Sequence, residues 1–236
     1  VRILVTRPQA LGELLASQLR NRGHEVVVGP VIEIAPTGRT PVAGRADAVL
    51  ATSANAFDAT LAGPEFAALR RAPIFVVGAR TAAAAVRCGF PAPTLTAPDA
   101  RSLLAGLSGL QPAPQRFLYL AGVHRKRDLE AGLRAMGRQV GVCEVYEARG
   151  AGCLATVAQD ALRNGEIDAV VHFSRRSAAL FCDLAQKAGL TVQARALLHL
   201  CISEDAACGL DRLEPADVRV AGRPDLAGMM ALLSAD

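Results

Sequence analysis

Residues 2–33 laid against residues 116–147 without a gap are identical at Arg2/Arg116, Leu4/Leu118, Leu15/Leu129, Leu19/Leu133, Arg20/Arg134, Gly23/Gly137, Val26/Val140, Val28/Val142, Val31/Val145 and Glu33/Glu147. Whatever this chain folds into must therefore use one pattern twice. Leu15 and Leu19 stand four apart, on one face of a helix, whereas Val26 and Val28 alternate as strand residues do. The glycine between them, Gly23 or Gly137, sits where a helix end needs a left-handed cap. Each copy reads as strand, helix, strand.

The echo resumes further along at a larger offset. Asp47-Ala-Val-Leu-Ala-Thr-Ser53 matches Asp168-Ala-Val-Val-His-Phe-Ser174, both apolar strands ending in serine, and an alanine-rich helical stretch follows each. Another apolar strand comes next, at Ile74 to Val77 in one copy and Leu197 to Ile202 in the other. Both copies close alike, with Leu95-Thr-Ala-Pro98-Asp99 and Val220-Ala-Gly-Arg-Pro224-Asp225 each leading into a leucine- or methionine-rich helix. A unit this long implies two similar lobes rather than a solenoid. Strands alternating with helices imply an α/β fold with parallel sheets, and such sheets bind ligands beyond the carboxyl ends of their strands.

The lobe boundaries admit two readings. Pro30-Val-Ile-Glu-Ile-Ala-Pro36-Thr-Gly-Arg-Thr-Pro41 looks like a strand passing into a linker, as does Val142 to Ala148 followed by Arg149-Gly-Ala-Gly152. An exit near 35 and a return near 148 make residues 1–34 plus 150–236 a discontinuous first lobe. The second lobe, 38–145, is then an insert, with linkers near 35–37 and 146–149. A plain cut at Gln111-Pro-Ala-Pro114 is the alternative.

Composition narrows the function. With 236 residues, 51% of them apolar, there is chain enough for two cores. The net charge is only +4 and the arginines are dispersed, His124-Arg-Lys-Arg127 being the one basic cluster. Two tyrosines and no tryptophan leave little for stacking on bases, so no nucleic-acid partner is expected and a small polyanionic ligand fits better. The six cysteines form no CxxC pair and have no His-rich companion, so no metal site is expected; Cys143, Cys182 and Cys201 read as buried small hydrophobes. No signal peptide opens the sequence and no apolar run reaches membrane-spanning length, so the expected setting is a reducing cytoplasm, without a membrane partner.

Among residues that carry chemistry, there is no Walker A loop, GxSxG elbow or HExxH pair. Gly78-Ala-Arg80-Thr81 follows a strand and opens a helix, an arrangement whose N–H groups and Thr81 hydroxyl suit an anion. Ser53 and Ser174 occupy matching corners, as ligand hydroxyls or as N-caps. Tyr146, in Glu144-Val-Tyr-Glu147, offers a phenol as weak acid or hydrogen-bond donor, or a ring that packs on a neighbouring strand. Its partner in the repeat is Ile32, so the phenol belongs to one copy alone. Arg7, after a strand and before Pro8, suits an anion or simply the solvent. His124 and His172 look isolated and structural.

Thr6-Arg7-Pro8, Thr52-Ser53-Ala54-Asn55-Ala56, Val76-Val77-Gly78-Ala79-Arg80-Thr81-Ala82, Leu118-Tyr-Leu-Ala-Gly122, Val145-Tyr146-Glu147 and Phe173-Ser174, in this order, resemble the uroporphyrinogen-III synthase family over almost the whole chain. The resemblance implies two flavodoxin-like lobes joined by a two-stranded linker, the first discontinuous, and so favours the insert. It implies a lyase that needs no cofactor and closes hydroxymethylbilane, a linear tetrapyrrole with eight carboxylates, into uroporphyrinogen III, with water lost and ring D inverted through a spiro intermediate. A monomer is expected. By the same resemblance Tyr146 helps the hydroxyl depart, and Thr81, Ser53 and Ser174 line the substrate cleft. Asn55, Arg7 and Arg80 are candidates for positioning carboxylates. The sequence departs from the family at Ser203-Glu-Asp-Ala206-Ala207, where a glycine and a threonine are expected; Ser203 is expected to substitute with its own hydroxyl or through backbone N–H groups. The alternatives are a non-catalytic two-lobed module for an anionic ligand and a nucleotide or flavin protein, the latter without a glycine-rich phosphate loop.

Overall fold

The computed structural model describes residues 1–41, 46–58, 66–67 and 69–233 of the 236. In chain order its elements are β1 (Arg2–Val5), α1 (Gln9–Arg20), β2 (Glu25–Val28), β3 (Ile32–Pro36), β4 (Ala48–Ala51), α2 (Asn55–Asp58), β5 (Ile74–Val77), α3 (Ala79–Arg87), β6 (Leu95–Ala97), α4 (Ala100–Ser108), β7 (Arg116–Gly122), α5 (Asp128–Ala135), β8 (Gln139–Gly150), α6 (Thr156–Arg163), β9 (Ala169–His172), α7 (Arg175–Lys187), α8 (Thr191–Ala196), β10 (Leu198–Cys201), α9 (Glu204–Ala207), β11 (Asp217–Val220) and α10 (Leu226–Leu232). Short 3-10 turns stand at Leu69–Arg71 and Cys208–Leu210. Part of the helical stretch expected after Ser53 lies outside the described residues.

The chain divides into two compact units, Val1–Glu33 with Arg149–Asp236, and Ile34–Ala148. The first holds a parallel sheet in the order β11-β10-β9-β1-β2, and the second sheet runs β3-β8-β7-β4-β5-β6. Numbered within the repeat, β1, β2, β9, β10 and β11 correspond to β7, β8, β4, β5 and β6. Both sheets then have the spatial order 2-1-3-4-5, the flavodoxin-like arrangement. β3 is added at the edge beside β8. Ala151 N–H donates to Val31 O and Thr37 N–H to Val145 O, so these two connecting strands run antiparallel.

The repeated residues have repeated jobs. Gly23 (φ 84°) and Gly137 (φ 75°) are left-handed, and the next N–H, of His24 or Arg138, donates back to Leu19 O or Leu133 O. These are matching Schellman caps. Arg2 pairs with Glu25 in the ladder as Arg116 pairs with Gln139. Ahead of β9 and β4, Asp168 accepts the Arg2 N–H at 2.7 Å and Asp47 accepts the Arg116 N–H at 3.0 Å. Asp99 and Asp225 cap α4 and α10, accepting from Ser102 N–H and Gly228 N–H.

Both faces of each sheet are buried, as parallel sheets require. In the second unit Val49, Val76, Leu118 and Leu120 face one core while Leu50, Phe75, Phe117 and Tyr119 face the other. In the first unit Leu4, Val170 and Cys201 face one way, and Ile3, Val5, Val171 and Leu200 the other. Burial pushes the Cys182 thiol up to about 11 and that of Cys201 to about 12, so both stay protonated and act as hydrophobes.

His172 is not isolated as expected. It ends β9, and its Nε2 lies 3.1 Å from Nδ1 of His199 on β10, with the rings stacked at 5.2 Å. His199 Nε2 lies 2.9 Å from Ala194 O and must donate its proton there. That leaves its Nδ1 to accept from His172 Nε2–H, and His172 Nδ1 is bare and buried without a partner. Burial holds both imidazoles below their ordinary range, His172 furthest. The unfolded chain takes up these protons near pH 6.5 and the folded chain does not. The pair's stability contribution is therefore full above that pH and is lost as pH falls, by at most about 1.4 kcal/mol per pH unit for each histidine kept neutral. The melting temperature should drop between pH 7 and 5.5, and His172→Phe should flatten that slope; a flat wild-type profile would contradict the neutral buried pair.

Candidate functional site

In a doubly wound sheet the winding direction reverses once, and the crevice lies at the carboxyl ends of the two strands flanking the reversal. Here those strands are β1 and β9 in the first unit and β7 and β4 in the second.

In the first unit, Thr6 is buried after β1 and its Oγ1 donates to Val171 O at 2.9 Å, tying together the ends of β1 and β9. Arg7 lays its guanidinium 4.3 Å from the centre of the Phe173 ring, a cation–π contact. Ser174 caps α7, its Oγ accepting Ser177 N–H at 3.1 Å. Ser203 does the same for α9, accepting Ala206 N–H at 3.3 Å. The Ser203 hydroxyl proton is left to donate, whereas Ser177 Oγ donates to Ser174 O at 2.9 Å and so accepts the Ser174 hydroxyl proton at 3.0 Å. Glu204 and Asp205 favour the start of α9, and Asp205 pairs with Arg175 at 2.9 Å.

In the second unit the crevice is a hollow of about 310 Å³, lined by Thr52 and Ser53 after β4, Tyr119 on β7, His124 to Lys126 after β7, and Tyr146 on β8. It is open because the repeat breaks here. Gln9, the first residue of α1, aligns with Val123, yet α5 begins only at Asp128. Three cations in His124-Arg-Lys-Arg127 oppose the positive end of a helix dipole, whereas Asp128 and Glu130 favour it. The start of the helix shifts accordingly, and residues 123–127 form a loop.

Arg125 fastens that loop. Its Nε donates to Glu130 Oε1 at 2.7 Å, and its Nη1 donates to Glu144 Oε1 at 2.9 Å and to Gly122 O at 3.0 Å. Burial opposes its charge, but the bonds to Glu144 and Glu130 outweigh it and hold the guanidinium above its usual pKa. Arg125, mainly, and then Arg39 hold the Glu144 carboxyl low.

Tyr146 rests on the backbone of Gly122. A Cβ at that glycine would stand 2.7 Å from Cζ and 2.9 Å from Oη of the tyrosine. A register shift between Ala121 and Gly122 sets Gly122 opposite Tyr146, and Val123 N–H donates to Tyr146 O at 3.0 Å. Across the hollow the Tyr119 hydroxyl lies 2.7 Å from Thr52 Oγ1. Burial pushes the Tyr119 phenol up, more than the Thr52 bond lowers it, so the proton stays on at neutral pH.

Of the residues singled out in the sequence, Tyr146 and Ser53 share this hollow, and Asn55 follows directly, its N–H donating to Ser53 Oγ at 3.3 Å. Thr81, buried, and Arg80, exposed, stand in the first turn of α3 beyond β5, the next strand in the sheet. Arg7, Ser174 and Ser203 follow strands of the first unit. The sequence reading passed over Tyr119 and Thr52, which look like core and strand end, and Arg125 and Lys126, whose basic run was the available signal. His124, expected to be structural, lines the hollow. Among the described residues no three His, Cys, Asp or Glu side chains converge as a metal would require, and no helix is long and apolar enough to cross a membrane.

A family model for uroporphyrinogen-III synthase HemD matches residues 13–231. Among solved structures, the uroporphyrinogen-III synthetase of Helicobacter pylori superposes with a TM-score of 0.64 at 16% identity, covering 99% of this chain and 98% of that one. A mutant uroporphyrinogen III synthase from the extremely thermophilic bacterium Thermus thermophilus gives 0.48 at 19% identity, with 99% and 97% covered. The first of these shows a shared fold. Comparison with curated protein sequences returns no match.

The ion-pair cluster behind the hollow is open to a stability test. Glu130 and Arg125 side chains are only 5% and 13% exposed, so Glu130→Ala leaves a nearly buried cation short of a partner. Chemical denaturation should show a loss of about 3 kcal/mol; a loss below about 1 kcal/mol would mean that the pair behaves as a surface contact.

Proposed function

Since the chain belongs to the uroporphyrinogen-III synthase family, enzymes of tetrapyrrole biosynthesis, we propose that it converts hydroxymethylbilane to uroporphyrinogen III, with the hollow of the second unit as the reaction site. The observation that carries this is the gathering of both tyrosines of the chain, with Thr52 and Ser53, beside the exposed His124 and Lys126.

The chemistry asks for few groups. The C–O bond of the hydroxymethyl group breaks and the oxygen takes a proton to leave as water, the pyrrole nitrogen supplying electrons for an azafulvene cation. The substituted carbon of ring D attacks that cation to give the spiro intermediate. Fragmentation and reclosure invert the ring, and loss of one proton restores the pyrrole. Tyr146 Oη donates to the departing oxygen and stands ready to receive the final proton. Lys126 and His124 hold substrate carboxylates, while Arg125 is neutralised by its glutamates and so does not repel the cation as strongly as a bare guanidinium.

The remaining candidates are hydrogen-bond donors to anions, each within its own unit. Ser174 and Ser203 have oxygens engaged in capping; Ser203 keeps its hydroxyl proton for a carboxylate, and Ser174 must turn its own away from Ser177 Oγ to do the same. In the second unit Arg80, Asn55 and Thr81, the last with the N–H groups of the first turn of α3, can donate to an anion, as Arg7 can in the first unit. Ser203 is the weakest, because Glu204 and Asp205 follow it. Ala206, fully buried where the family expects a hydroxyl, is the observation that favours the rival reading, a module that binds an anionic ligand without reacting it.

Added to hydroxymethylbilane, the protein should yield the type III isomer; type I alone, the product of unassisted closure, would contradict the proposal and favour the rival. Tyr146→Phe should lower kcat about 100-fold with little change in melting temperature, and an unchanged kcat would remove Tyr146 from the mechanism. Binding should weaken as salt rises if side-chain cations hold the carboxylates; flat salt dependence would transfer that role to backbone donors.

A further inference from the structure

Arg125 lies in the hollow and in the basic cluster, so it looks like one more cation for substrate carboxylates. Its surroundings argue otherwise. The side chain is only 13% exposed, and its donors point at three protein acceptors, one each from the strand end, α5 and β8. Two of these acceptors bear on Tyr146. Gly122 is the surface on which the phenol ring rests, and Glu144 is two residues before Tyr146 on β8, across the register shift that sets Gly122 opposite Tyr146. The loop carrying Arg125 also bonds the Tyr146 carbonyl through Val123 N–H.

We propose that Arg125 is a positioning residue for Tyr146: by clamping the Gly122 carbonyl and the Glu144 carboxylate together, it fixes the seat that aims the phenol into the hollow. This rests on the reading of Tyr146 as proton donor. The clamp depends on the guanidinium fork, which reaches acceptors in three directions from one rigid plane; an ammonium supplies the charge but not that geometry.

Arg125→Lys keeps the charge and tests the fork. In steady-state turnover of hydroxymethylbilane, kcat should fall about 10- to 100-fold while KM changes less than about 3-fold, since displacing a reacting group by about an ångström costs that much. The second readout is independent of turnover. The chain has two tyrosines and no tryptophan, so in a Tyr119→Phe background the fluorescence belongs to Tyr146 alone. Its anisotropy should fall on adding Arg125→Lys. Both changes are required: a wild-type kcat, a loss confined to KM, or an unaltered anisotropy overturns the inference, and the KM outcome makes Arg125 a carboxylate-binding cation. Should Arg125→Lys not fold, Gly122→Ala tests the seat directly, because its methyl displaces the ring without removing a charge. The same kcat loss is then expected, and a wild-type kcat overturns the seat. Wild-type protein that forms only the type I isomer defeats the proposed function itself, which separates that failure from this one.

Discussion

A parallel sheet whose winding reverses between two neighbouring strands has to leave a gap above their carboxyl ends, because the helices that follow them pack on opposite faces. The candidate site lies in that gap. In both units the flanking strands, β1 with β9 and β7 with β4, pair in equivalent register, Ile3 against Ala169 and Phe117 against Ala48. Their amino ends are joined in the same way, by Asp168 and Asp47 accepting a backbone N–H. Those carboxylates are exposed enough that their worth lies in register rather than in free energy.

The two gaps are filled differently. In the first unit Pro8 precedes α1, which starts at once, and Arg7 lies on Phe173. In the second, a run of cations delays α5, and the freed loop folds back on β8 through Arg125. The second copy of a duplicated framework thus acquires a polar hollow with hydroxyls inside and Lys126 at its exposed edge. On the proposed function, a substrate with four similar pyrroles needs such inequality, since one ring alone must be treated differently.

Much of the fold was legible because the repeat stated it twice. The Schellman glycines, the aspartate caps Asp99 and Asp225, and the apolar strands all follow from local pattern. The candidate site was legible in part. Tyr146 and Ser53 stand out as a phenol and a hydroxyl at strand ends. Tyr119 does not, because it sits inside an apolar strand and gains its meaning from Thr52, 67 residues away in sequence. His172 and His199 looked unrelated until β9 and β10 lay side by side. Arg125 was visible only as charge; which acceptors neutralise it depends on how α5 and β8 converge on the loop.

The claim that the hollow of the second unit receives the tetrapyrrole can be tested without turnover. Protein labelled with carbon-13 at tyrosine Cζ should give two resonances, Tyr119 and Tyr146, both from this hollow. Titration with reduced uroporphyrinogen III should move both lines along one saturation curve. Saturable binding, followed by backbone amide shifts, that leaves both tyrosine lines in place would contradict it.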